Sequence, residues 1–182
     1  MKDIADHLFD ILENSVKANA TKVNIFLEIK KNIFFCTVED NGSGIKDIDV
    51  TDPFVTSRKT RNVGLGLSLL KKAMEDTGGF LKIYNMEKGG AKLEFEMIIS
   101  HIDAKPLGDM ASVFVDAIYS WPTVDFDIIG RIGCKKKPIF RSVEIKNIFS
   151  YFEMQHNEVR NFIYYSIKDE LEKAGINFQF KI

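Results

Sequence analysis

The sequence predicts an α/β protein in which a mostly antiparallel sheet is covered by helices on one face. Three observations predict it. An amphipathic helix opens the chain, two hairpin-like pairs of strands follow, and a glycine-rich break and a second helix separate those pairs. One sheet with helices on one side accommodates that order.

The first helix can be tested by angle. At steps of about 100° per residue, Asp3, Asp6, His7, Asp10, Glu13, Asn14 and Lys17 fall on one side, while Ile4, Leu8, Phe9, Ile11, Leu12 and Val16 fall on the other. Such a helix buries one face. Asn19-Ala20-Thr21 ends it. Val23, Ile25, Leu27 and Ile29 then alternate with Asn24, Phe26 and Glu28, Lys31-Asn32 reads as a turn, and Ile33 to Glu39 reads as a second, more apolar strand. Asp40-Asn41-Gly42-Ser43-Gly44 breaks the pattern and a loop runs to about Val63. Gly64-Leu65-Gly66 opens a helix that continues from Leu67 to about Asp76, where Thr77-Gly78-Gly79 stops it. Phe80 to Asn85 and Ala91 to Ile99 make another hairpin around Gly89-Gly90.

The pattern changes near His101, and Ala104-Lys105-Pro106-Leu107-Gly108 punctuates it. We therefore divide the chain into residues 1–100 and a smaller α/β segment, residues 101–182, which is either a second module or an elaboration of the first. Leu107 to Trp121 is expected to be helical, Val124 to Ile132 a strand, Val143 to Phe152 a short helix and Asn157 to Ala174 a long one. A final strand is expected over Ile176 to Ile182. Cys134-Lys135-Lys136-Lys137-Pro138 reads as a basic turn. Phe149, Tyr151 and Phe152, and then Phe162, Tyr164 and Tyr165, are expected in a core, with a protein-binding surface as the alternative.

Composition narrows the function classes. With 25 basic and 26 acidic residues the net charge is -1, so there is no bulk attraction to nucleic acid and none is expected as a partner. The acidic N-terminus has no apolar core, and no run approaches the roughly 18–20 apolar residues of a membrane helix, so neither a signal peptide nor a membrane partner is expected. Cys36 and Cys134 form no CxxC pair. A cytoplasmic setting is the expectation. His7, His101 and His156 are each expected to be structural or solvated.

Three segments carry chemistry. Asp10, Asn14 and Lys17 share a helix face. A carboxylate there can orient or deprotonate water, an amide oxygen can ligate magnesium, and an ammonium can meet phosphate. The plain alternative is a solvated face. Asp40 follows an apolar strand, where its carboxylate can accept from an exocyclic amine, and Gly42 and Gly44 permit close backbone approach. Alone, that segment is also an ordinary strand-ending turn. Thr56, Arg58, Lys59 and Arg61 precede Gly64-Leu65-Gly66-Leu67, so a basic loop of little apolar content leads into a helix start whose free amides can bind an anion.

In this order and spacing, the three segments resemble the motifs of the GHKL superfamily of gyrase, Hsp90, histidine-kinase and MutL ATPases. Asp10 to Ala20 is similar to its N box, Asp40 to Ile45 to its G1 box, Gly64 to Leu67 to its G2 box, and Pro53-Phe54 to its F box. The resemblance covers residues 4 to about 99. It implies a mixed sheet with helices on one face, the Bergerat fold. It implies ATP and magnesium as ligands, with Asn14 on magnesium and Asp40 on the adenine amine. Gly42 and Gly44 would shape that wall, and Arg58, Lys59 and Arg61 would belong to the lid. Gly64 and Gly66 would place backbone amides on phosphate, and Lys17 would approach phosphate as in histidine kinases. The sequence departs from the pattern at Asp10, where hydrolytic members carry glutamate, and at Ala91 and Lys92, where threonine or serine is usual near adenine. The N box begins almost at Met1, which implies no phosphoacceptor hairpin and no exchanged arm. The function expected is a regulatory or signalling protein binding ATP or ADP together with an unidentified protein partner. The alternatives are a histidine-kinase-like or sigma-regulator-type serine kinase and a slow ATPase using Asp10 as base, with a homodimer left open.

Overall fold

The computed structural model describes residues 1–45, 65–132 and 135–176. Helix α1 spans Ile4–Lys17. Asp3 caps it, its carboxylate accepting from the Asp6 amide at 2.8 Å. Strands β1 (Lys22–Lys30) and β2 (Ile33–Asp40) form a hairpin whose turn residues Lys31 and Asn32 both take positive φ, the geometry that follows the twist of paired strands. Helix α2 (Leu65–Glu75), strands β3 (Phe80–Asn85) and β4 (Ala91–Ile98) and helix α3 (Met110–Ser120) come next. The chain continues with β5 (Asp125–Ile132), β6 (Lys135–Arg141), α4 (Ser142–Ile148), α5 (Tyr151–Met154) and α6 (Asn157–Lys173).

The strands form one mixed sheet in the order β3-β4-β2-β1-β5-β6. β5 runs parallel to β1, and every other pairing among the described residues is antiparallel. Short turns can join antiparallel neighbours, whereas the β1–β5 pair needs a long connection. The intervening elements β2 to α3 supply it. The sheet is therefore continuous across residue 100. Val23, Ile25 and Leu27 of β1, Phe34, Cys36 and Val38 of β2, Leu93, Phe95 and Met97 of β4, and Phe126 and Ile128 of β5 share one buried layer with Leu8 and Leu12 of α1 and Phe114 and Ile118 of α3. The chain after α2 returns onto α1, where the Ile4 and Ala5 amides donate to the Pro106 and Leu107 carbonyls at 3.0 and 2.9 Å. The opposite face of the sheet is polar around a shallow concavity of about 350 Å³, floored by Phe26, Phe35, Ile129 and Pro138.

Several expectations need correction. Lys135 to Pro138 is an edge strand, not a turn. Lys136 holds its Nζ 3.9 Å from the centre of the Phe26 ring, a cation–π contact, and the edge stays charged. The helix expected over Val143 to Phe152 is two helices. Ser150 interrupts it by forming a capping box with Glu153 at the start of α5. The aromatic residues of this segment are not core: Tyr151, Phe152, Phe162 and Tyr165 are exposed, and Phe149 packs only partly. His7 does not lie on a polar face. It is 1% exposed, because α1 is covered by more of the molecule than a one-sided helix would be. Cys134 and the expected final strand beyond Ile176 lie outside the described residues.

Candidate nucleotide site

The site gathers where α1, the end of β2 and the start of α2 meet. Asp40 is the last residue of β2 and is 7% exposed. Its Oδ1 accepts from the Gly42 amide at 2.9 Å and the Ala91 amide at 3.3 Å, and its Oδ2 accepts from the Ser15 hydroxyl at 3.0 Å. Three separate pieces of chain thus hold one carboxylate. All three donors are neutral, and among the described residues no cation pairs with it. A buried carboxylate of this kind retains its appetite for a further N–H donor.

Two asparagines fix the loop that follows. Asn41 Oδ1 accepts from the Thr21 and Lys22 amides at 2.9 Å each, and its Nδ2 donates to Thr21 Oγ1 at 2.8 Å. Asn85, at the end of β3, accepts from the Ile45 amide at 2.8 Å and donates to the Ile45 carbonyl at 2.9 Å. Between them Gly44 sits at φ 73°, and Ser43 donates to the Ala18 carbonyl at 2.8 Å, which seats the loop on the end of α1. Gly90, at φ 91°, brings the β3–β4 turn so near that a Cβ there would lie 1.9 Å from the Asp40 carbonyl oxygen.

The other side of the site is built by α1 and α2. Asp10 is half-buried, and a Cβ on Gly66 would lie 2.0 Å from its Oδ2, so the start of α2 presses directly on the Asp10 carboxylate. The first turn of α2 carries no acidic side chain, which leaves the positive end of that helix uncompensated within the helix itself. Leu65 is 77% exposed, and Leu67 packs partly on the core. Asn14 and Lys17 are exposed on α1, with Lys17 paired to Glu13 at 3.0 Å across one helical turn. An exposed pair of that kind is weak and easily exchanged. Thr56, Arg58, Lys59, Arg61 and Gly64, together with Pro53-Phe54, lie outside the described residues.

Ser15, Asn41 and Asn85 carry the site's hydrogen bonds, yet sequence reasoning assigned them no role. Ser15 left a readable signal. It falls one helical turn beyond Ile11 on the apolar side of α1, where a lone hydroxyl has to find a partner inside the protein. Asn41 and Asn85 read only as turn formers. His7, behind the site, has no hydrogen-bond partner for either ring nitrogen among the described residues. Burial lowers its pKa, the positive charges of Lys105 and the N-terminus lower it further, and Asp6 and Asp10 oppose the shift. Cys36 is buried in the core, and burial pushes its thiol far above the ordinary range, so it is chemically inert. No helix among the described residues is long and apolar enough to cross a membrane.

Known proteins resemble this chain over about half of its length. The chain is 27% identical over 97 residues to a sensor histidine kinase NtrY-like protein of Rickettsia conorii, a match covering 51% of this chain and 16% of that one. The corresponding Rickettsia bellii protein is 34% identical over 97 residues, covering 52% and 15%. The sensor histidine kinase CpxA of Escherichia coli K12 is 27% identical over 94 residues, covering 47% and 21%. The chain thus spans less than a quarter of the length of these relatives. Among solved structures, the catalytic domain of the histidine kinase ThkA matches at 28% identity and a TM-score of 0.36, over 51% of this chain and 63% of that one. The ADP-complexed ATPase domain of Aquifex aeolicus MutL matches at 17% identity and a TM-score of 0.47, over 70% and 60%. The family described as histidine kinase-, DNA gyrase B- and HSP90-like ATPase matches residues 2–100, more than half of the chain, and the protein belongs to that family.

Proposed function

We propose that this protein binds ATP with magnesium and uses the bound state as a regulatory signal. The observation that carries this reading is that one helix, α1, touches both glycine motifs. It holds Asp40 through Ser15, and it meets the start of α2 through Asp10 against Gly66. A nucleotide would have its base at Asp40, beside Gly42 and Gly44, and its phosphates at the backbone of Gly64, Leu65, Gly66 and Leu67. Lys17 would reach the phosphates by leaving Glu13.

The donor set fits magnesium held jointly with phosphate. Magnesium ordinarily takes one or two protein oxygens plus phosphate and water, and the exposed Asn14 side chain on α1 offers one such oxygen. Asn14 is the protein ligand in this reading, and the cation would neutralise phosphate charge. Thr56, Arg58, Lys59 and Arg61 are assigned to a basic lid on sequence grounds alone.

Residues 101–182 would report the bound state to a protein partner. Their connection to the site is physical: β5 pairs with β1, and α3 packs on both α1 and α6. The exposed rings of Tyr151, Phe152, Phe162 and Tyr165 offer apolar area for such a partner.

A kinase or a slow ATPase is the second reading, favoured by the kinase relatives and by the carboxylate of Asp10 lying at the start of α2. The test is a single turnover of γ-labelled ATP with magnesium and excess protein, after saturation is established. Retention of intact bound ATP supports the regulatory reading. Phosphate release above the blank supports an ATPase, and its loss in Asp10→Asn would assign the base. Label appearing on an added protein supports the kinase.

A further inference from the structure

We propose that Ser15 is a positioning residue for base selection, acting through Asp40; this rests on the reading of Asp40 as the group that meets the base. An ionised carboxylate has about four lone-pair sites. Among the described residues Oδ1 is occupied twice, by the Gly42 and Ala91 amides, whereas Oδ2 accepts once, from Ser15. The remaining acceptor site is therefore on Oδ2, the oxygen that Ser15 holds.

A hydroxyl has one hydrogen. Ser15 spends it on Asp40 and presents only lone pairs elsewhere. The base end of the site consequently offers acceptors from two side chains, Asp40 and Ser15, and the Gly42 and Ala91 amides beside them are already engaged. Such a site matches an exocyclic amine, which brings two N–H groups. It opposes a carbonyl oxygen at the same ring position, because that oxygen would face a carboxylate and a lone pair with no hydrogen between them.

Position and burial make this arrangement specific. Ser15 is 5% exposed and sits on a helix, whereas Asp40 ends a strand 25 residues later. The helix thereby sets the carboxylate's rotation from outside the strand and loop that carry it. β4 contributes only a backbone amide, from Ala91. Alanine at position 15 leaves the helix intact, since it is the better helix former, and leaves Asp40 with its two amide donors.

The experiment compares ATP and ITP, which differ at that ring position by an amine against a carbonyl. Affinities are measured by calorimetry with magnesium in the full chain and in Ser15→Ala, Ser15→Thr and Asp40→Asn, with thermal unfolding as a control for folding. We expect Ser15→Ala to lose about tenfold in ATP affinity, the scale of one hydrogen bond to a charged group. ITP affinity should change by less than about threefold, so the ATP-to-ITP ratio collapses. Ser15→Thr, which keeps the hydroxyl, should keep the ratio. A ratio in Ser15→Ala equal to that of the unmodified chain, with ATP affinity reduced roughly 30- to 100-fold in Asp40→Asn, overturns the role of Ser15 and leaves the reading of Asp40 standing. A ratio lost equally in Ser15→Thr overturns the role of the hydroxyl. Undiminished ATP binding in Asp40→Asn overturns both.

Discussion

Two buried aspartates lie on strands either side of β1 and are treated in opposite ways. Asp40, at the end of β2, is 7% exposed and is held by a hydroxyl and two amides. Asp127, on β5, is 5% exposed and is held by charge, with Lys22 at 2.9 Å and Arg141 at 3.7 Å. The three residues of the second cluster come from β1, β5 and β6, so that ion group braces the added part of the sheet. Arg131 of β5 and Glu28 of β1 form a further pair. A carboxylate neutralised by cations has little left to offer a ligand. One held, among the described residues, by neutral donors has no cation beside it to occupy its oxygens. The difference separates the region proposed to meet a nucleotide from the region that joins β5 and β6 to the sheet.

That comparison can be broken in several places. The largest effect is expected for Gly90→Ala, because a Cβ there meets backbone at 1.9 Å in a positive-φ conformation. A stability loss of about 3 kcal/mol, read by denaturant unfolding, and a weakened site are the expected outcome. Asp40→Asn should leave stability nearly unchanged and reduce ATP affinity by roughly 30- to 100-fold, about 2–3 kcal/mol, by calorimetry. Asp127→Asn should do the reverse, leaving ATP affinity intact and lowering stability by about 1–2 kcal/mol, since its cations are half-exposed. If Asp127→Asn instead abolishes nucleotide binding, the two regions are not separable.

The pH dependence sharpens the same contrast. His7 has its folded pKa lowered by burial, so the unfolded chain binds the proton more readily. Its contribution to stability is complete above the ordinary histidine pKa of about 6.5 and is lost as pH falls from there through the folded value. Unfolding midpoints measured from pH 7.5 to 5 should fall, and His7→Phe should flatten that slope. The smallest effect is expected from Lys136→Gln, about 0.5–1 kcal/mol of stability from the lost contact with the Phe26 ring, with no change in nucleotide affinity.

Much of this was legible in the chain. The alternation of Val23, Ile25 and Leu27, the apolar side of α1, and the glycine punctuation around Gly42, Gly66 and Gly90 are local consequences of strand and helix periods and of close backbone approach. They required no knowledge of distant contacts. The shared side of α1 that carries Asp10, Asn14 and Lys17, and the place of Asp40 at a strand end, were readable for the same reason, whereas Gly64 lies outside the described residues.

What the tertiary structure decided is pairing between elements far apart in sequence. That β5 would lie parallel to β1 and continue one sheet, that Lys135 to Pro138 would form its edge, and that His7 would be enclosed all follow from which surfaces meet. The partners of Asp40 belong to the same class: Ser15 stands 25 residues before it and Ala91 stands 51 after. Periodicity determines which face of an element is apolar or polar, because it is set by bonds between near neighbours. Which hydroxyl, amide or cation finally meets a buried carboxylate is settled only when the whole chain packs.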